Sequence, residues 1–119
     1  TVLRFLENLP SGTKIKRVIL VAPWIKKDKE LIKKLKEEGE EVWETARPWI
    51  ETPIDWKKLK NCSRDFIGIF SDNDPYVSLS NERMLKEKLN ARTIILSNRH
   101  HFNEWNGIKQ LPEILQFIK

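Results

Sequence analysis

Hydrophobic positions recur along this chain with two different periods, and the switches between them predict its elements. Val2, Leu3, Leu6 and Leu9 keep a helical spacing that Pro10-Ser11-Gly12 brings to an end. Residues 16–22 carry the apolar run Val18-Ile19-Leu20-Val21-Ala22, with Lys16 and Arg17 before it and Pro23 after it. That is the pattern of a parallel strand buried on both faces. A helix is predicted over 28–38, with Leu31, Ile32 and Leu35 facing inward. Residues 39–60 lose this regularity: Trp43, Trp49 and Trp56 are interrupted by Pro48 and Pro53, which predicts an ordered excursion with short helical turns. Regular alternation then returns. A strand is predicted at 65–70, a polar loop at 71–78, a helix at 80–89 capped by Ser80, and a strand at 92–97. A loop holding both histidines follows, and then a last helix whose buried stripe is Ile108, Leu111, Leu115 and Ile118.

Strands alternating with helices, each strand apolar throughout, predict an α/β fold. Its parallel sheet has about three strands, near 16–22, 65–70 and 92–97, flanked by helices within a single domain spanning 1–119. In such sheets the working residues gather at the carboxyl ends of the strands. Asp72, Asn73 and Asp74 follow one strand, and His100 and His101 follow the next.

Composition narrows the classes of function. The 119 residues include 22 Lys and Arg against 17 Asp and Glu, with 39% hydrophobic, enough for one core. The +5 balance does not point to nucleic acid, because the basic residues interleave with acids at 26–30 and 33–38, the signature of a solvated helix face. No apolar run approaches the roughly 18 residues of a membrane span, and residues 1–6 lack the parts of a signal peptide. A single cysteine, Cys62, excludes a disulfide framework within the chain and any zinc site built on Cys pairs, so a cytoplasmic location is expected.

An acid loop after one strand and a histidine loop after the next reproduce the last two members of a Ser...Asp...His order. The nucleophile is missing: Gly12, Gly39, Gly68 and Gly107 lie too far apart to form a Gly-x-Ser-x-Gly elbow. Ser71, Ser97 and Cys62 do not replace it, since none lies in a strained strand-to-helix turn and Cys62 falls at the opposite end of the sheet. Asp72 reads as a turn former. Asp74 is the acid candidate, with an Asx-turn as the alternative, and His100 reads as an ordinary loop histidine beside the candidate base His101. Adjacent histidines on an extended segment point to opposite sides, which argues against a shared metal. A calcium loop starting at Asp72 fails at Val77 and Arg83, where glycine and a carboxylate are required. No cofactor is expected. Trp43 and Trp49 are the candidates for substrate contact in the excursion, although packing explains these two, Trp24 and Trp56 equally well.

Several stretches resemble one family. Ser71-Asp72-Asn73-Asp74-Pro75-Tyr76-Val77, His101-Phe102-Asn103-Glu104, Gly107-Ile108 and Leu111-Pro112-Glu113 are similar to the C-terminal half of a family of small serine hydrolases. That family includes retinoblastoma-binding protein nine and YdeN-like bacterial proteins. Residues 45–49 and 54–62 resemble the segment leading into its acid strand, and residues 1–9 the helix after its nucleophile elbow. The resemblance implies a partial α/β-hydrolase fold, a catalytic acid at Asp74, a catalytic base at His101, and a serine upstream of Thr1. The family usually has a small residue, often glycine, where this chain has His100. It implies an esterase or amidase acting on small molecules, inactive without its N-terminal half. A contrasting expectation is a non-catalytic interaction module that binds a partner, or a second copy of itself, through the tryptophan-rich excursion or an open sheet edge.

Overall fold

The computed structural model describes residues 2–26 and 28–118. Three parallel strands, β1 (Val18–Val21), β2 (Phe66–Ser71) and β3 (Arg92–Leu96), lie side by side in that order. All six residues of β2 are buried, as an apolar strand between two neighbours must be. The outer strands depart from the expectation of burial on both faces: Val21 of β1 and Ile95 of β3 are exposed. Among the described residues each pairs with a strand on one side only. Among the described residues no strand pairs with the outer edge of β1.

Among the described residues five α-helices accompany the sheet: α1 (Val2–Glu7), α2 (Lys29–Glu37), α3 (Glu40–Glu51), α4 (Trp56–Cys62) and α5 (Ser80–Leu89). Pairing of Val18 with Phe66 and of Leu20 with Gly68 puts these residues on one face of the sheet. There Val18, Leu20, Phe66 and Phe70 join one core with Leu3 and Leu6 of α1, Leu59 and Cys62 of α4, and Leu85 and Leu89 of α5. Gly68 makes the close approach of α5 possible. A Cβ at that position would lie 2.6 Å from Leu85 Cδ2 and 2.7 Å from Phe70 Cε2.

Four local expectations change. The excursion at 39–60 holds a twelve-residue helix, α3, that runs through Pro48 and stops only at Thr52, before Pro53. Proline's missing donor removes one hydrogen bond, which three turns of helix tolerate near their C-terminal end. Helix α5 is not capped by Ser80, which is its first helical residue; Leu79 occupies the cap and makes no side-chain hydrogen bond there. The predicted last helix is two 3-10 segments, Glu104–Asn106 and Pro112–Phe117. With three residues per turn the sheltered positions become Leu111, Ile114 and Phe117, which leaves Leu115 and Ile118 more than 60% exposed instead of buried. Helix α2 begins as predicted, with Asp28 accepting from the Glu30 amide at 2.8 Å. No helix among the described residues is long and apolar enough to cross a membrane.

The amino ends of the strands are tied by charge. Asp65 accepts from the Arg17 and Arg92 guanidinium groups, and Arg17 also donates to the Phe117 carbonyl, securing the C-terminal segment. Hydrogen bonds from Arg17 and Arg92 hold the Asp65 carboxyl below its ordinary value of 3.8. A carboxyl lowered in the folded state contributes stability that is present above its ordinary value and lost as pH falls toward the lowered one.

Two predictions follow from the sheet. Gly68→Ala forces Leu85 or Phe70 to move and should cost about 1–3 kcal/mol in urea denaturation. Asp65→Asn should cost about 1 kcal/mol at pH 7, and this difference from the wild type should shrink when both proteins are compared at about pH 3.

Candidate active site

The register of β2 and β3 decides where the chemistry lies. Ser71 and Leu96, the last residues of the two strands, are paired, so the loops that leave them start side by side. Small polar side chains lace the loops together. Asp72 donates its amide to the Leu96 carbonyl at 3.0 Å, and its carboxylate accepts from the Asn98 amide at 2.9 Å. Ser71 Oγ accepts from the Arg99 amide at 3.0 Å. Asn73 Oδ1 accepts from Ser71 Oγ and from the His100 amide, both at 2.8 Å, and its Nδ2 donates to Asn98 Oδ1 at 2.8 Å. The second loop bends sharply to meet the first. Asn98, His100 and Phe102 all have positive φ, between 52° and 57°. A residue without a Cβ adopts this conformation freely, which explains why glycine would suit position 100.

This framework delivers two side chains to one point. Asp74 Oδ2 lies 2.8 Å from His101 Nδ1. The other oxygen, Oδ1, accepts from the backbone amides of Tyr76 at 2.8 Å and Val77 at 3.0 Å. Three donors therefore surround a carboxylate whose side chain is 1% exposed, while the imidazole it holds is 29% exposed. The Asx-turn and the pairing with a histidine, alternatives in the sequence, coexist at Asp74: Oδ1 closes the turn and Oδ2 meets the His101 imidazole. Asp72 reaches across to the neighbouring loop at Asn98 instead of closing a turn of its own. His100 and His101 diverge, His100 Nδ1 meeting Asn73 Nδ2 at 3.3 Å. Among the described residues no group of three His, Cys, Asp or Glu side chains is placed to hold a metal ion.

Beside His101 opens a largely apolar cavity of about 540 Å³, lined in part by Trp24, Trp49, Trp56, Ile25 and Ile54. Trp49, from α3, is half exposed at its mouth. Trp43 is elsewhere, its ring under Lys36 Nζ at 4.9 Å to the ring centre. Trp24 reaches the cavity on the loop after β1, where Ala22 has a φ of 46°. The buried Asn81 holds that loop, its Oδ1 accepting from the Ile25 amide at 3.0 Å and the Lys26 amide at 2.9 Å. Arg4 of α1 donates to the carbonyls of Trp49, Thr52 and Pro53, fixing the end of α3 that borders the cavity.

Sequence reasoning passed over Asn73, Asn81 and Tyr76 as working parts. Asn73 and Tyr76 stood inside the motif that carried the resemblance; Asn81 had no signal beyond its place at the start of a helix. The alternative nucleophiles are placed as structural groups. Ser71 is buried and hydrogen-bonded, Ser97 is exposed after β3, and Cys62 is buried at the far end of the sheet, its thiol pushed up by burial.

Among curated proteins none matches this chain. Of the solved structures, the chain is similar to the ydeN gene product from B. subtilis, with a TM-score of 0.76 at 23% sequence identity. The similarity covers 98% of this chain and 56% of that one, so the chain spans little more than half of the neighbour's length. Its three strands and flanking helices thus correspond to part of a larger α/β fold. The family model for serine hydrolases matches residues 1–119, and the chain belongs to the serine hydrolase family.

Proposed function

We propose that this chain supplies the acid and the base of a Ser-Asp-His hydrolase acting on small esters or amides, with the serine contributed by residues that precede Thr1 in the whole protein. The observation that carries the reading is the 2.8 Å contact between the buried Asp74 carboxylate and His101 Nδ1. Asp74 keeps the proton on Nδ1, which leaves Nε2 as the acceptor for the serine proton. The serine oxygen then attacks the carbonyl carbon, the imidazolium formed is stabilised by Asp74, and Nε2 returns the proton to the departing alcohol or amine. Water repeats the sequence to release the acid and free the serine. The amides that hold the developing oxyanion belong, in such enzymes, to the residue after the nucleophile and to an earlier loop. The apolar part of the substrate would rest against Trp49, with Trp24 and Trp56 behind it.

The test is turnover of a small activated ester by the whole protein and its variants. Asp74→Asn and His101→Ala should each lower kcat by about a thousandfold or more. The 119-residue chain alone should give no turnover. Hydrolysis by that chain, abolished in His101→Ala, would overturn the assignment of the nucleophile to another segment.

One observation favours a second reading, as a module that pairs with another chain. The outer edge of β1 is unpaired among the described residues, and Val2, Phe5, Val21, Trp24 and Trp49 are exposed. An edge of this kind invites strand addition. On this reading the 119-residue chain should sediment as a dimer or larger at high concentration. A monomer throughout, with slow amide exchange over residues 18–21, would remove this reading.

A further inference from the structure

Tyr76 makes contacts that the Asp74-His101 pair alone does not require. Its ring meets the His101 imidazole edge to face, with centroids 5.3 Å apart and planes at 60°. Its hydroxyl donates to Glu38 Oε1 at 2.8 Å, at the C-terminal cap of α2. One turn earlier on the same helix, Lys34 donates to the Pro75 carbonyl, and its Nζ sits 5.7 Å from the centre of the Tyr76 ring. Helix α2 therefore grips residues 75 and 76 at three points. Glu38 beside the phenol, helped by burial and by the charge of Asp74, keeps its ionisation above the usual tyrosine range, so the hydroxyl stays a donor.

We infer that Tyr76 is a positioning residue for the base, its ring fixing the plane of the His101 imidazole and its hydroxyl tying that plane to helix α2 through Glu38. The inference rests on the reading of Asp74 and His101 given above. A hydrogen bond at Nδ1 restrains one atom of the ring, but the range of lengths and angles it tolerates still lets the imidazole rock about its Cβ–Cγ bond. Such rotation swings Nε2 away from a nucleophile. An aromatic edge against the imidazole face blocks it, and productive geometry is sensitive to displacements of this size. The groups facing the imidazole and the phenol are Asp74, Glu38 and Lys34, from two separate elements.

The test compares Tyr76→Leu, Tyr76→Phe, Glu38→Ala and Glu38→Gln, with Asp74→Asn as the reference. Two quantities are read below the melting temperature of every variant: the lifetime of the His101 Nδ1 proton by nitrogen-15 NMR, and kcat and KM of the whole protein on a small ester. Tyr76→Leu should shorten the proton lifetime and lower kcat by about three- to tenfold, with KM unchanged. Tyr76→Phe and Glu38→Ala should share a smaller loss, and their double variant should lose no more than either, because both cut the same bond. Glu38→Gln, which keeps the acceptor, should restore the wild-type values. If Asp74→Asn shortens the lifetime and Tyr76→Leu does not, Tyr76 only packs and the inference falls alone. If Asp74→Asn also leaves the lifetime unchanged, the pairing of acid and base falls first and takes the inference with it.

Discussion

A carboxylate removed from water is costly unless donors meet it, and in this chain that cost falls on Asp74. Its surroundings are arranged to supply those donors. Two come from the turn Pro75-Tyr76-Val77, which must fold back tightly for both amides to reach one oxygen. The third comes from the neighbouring strand's loop, so β2 and β3 must end level and the second loop must bend toward the first. The left-handed backbone at Asn98, His100 and Phe102 follows from that bend. Features that look like separate irregularities are parts of one solution to a solvation problem.

The two ends of the sheet are fastened by different chemistry. At the strand starts, formal charges do the work, Asp65 bridging Arg17 and Arg92. At the strand ends, neutral groups do much of it, through Ser71, Asn73 and Asn98, beside the Asp72 and Asp74 carboxylates. Asp72 is engaged by the Asn98 amide, and Arg99 by Glu113.

How much of this was legible in the sequence depended on the range of the interaction. The strands and α2 could be read because continuous apolar runs and the helical spacing of Leu31, Ile32 and Leu35 are local signals. The order of the two polar loops was enough to expect Asp74 and His101 near one another, since parallel strands bring their ends together whatever lies between them. The 3-10 segments were missed because a helical stripe and a three-residue period share several positions, and Pro112 tips the balance without showing on a hydropathy pattern. The length of α3 was missed because Pro48 and Pro53 read as breakers, whereas Pro48 lies within the last turn and is tolerated there. Choosing among the tryptophans was beyond any local rule. Trp49 and Trp43 lie on the same helix, and only its rotation and the Arg4 anchor at its end decide which one borders the cavity.

Gly68 has a consequence that reaches past this molecule. The helix that follows the acid loop rests on β2 through Leu85, directly over the missing side chain at position 68. That space is bounded by Leu85 and by Phe70, so in relatives of this chain a larger residue at 68 should be matched by a smaller one at 85 or at 70. Where that exchange is incomplete, α5 must ride higher on the sheet and lift the loop at its amino end. Position 68 and its neighbours therefore work as a spacer through which the height of the loop carrying Asp74 can be retuned without altering a residue that touches it.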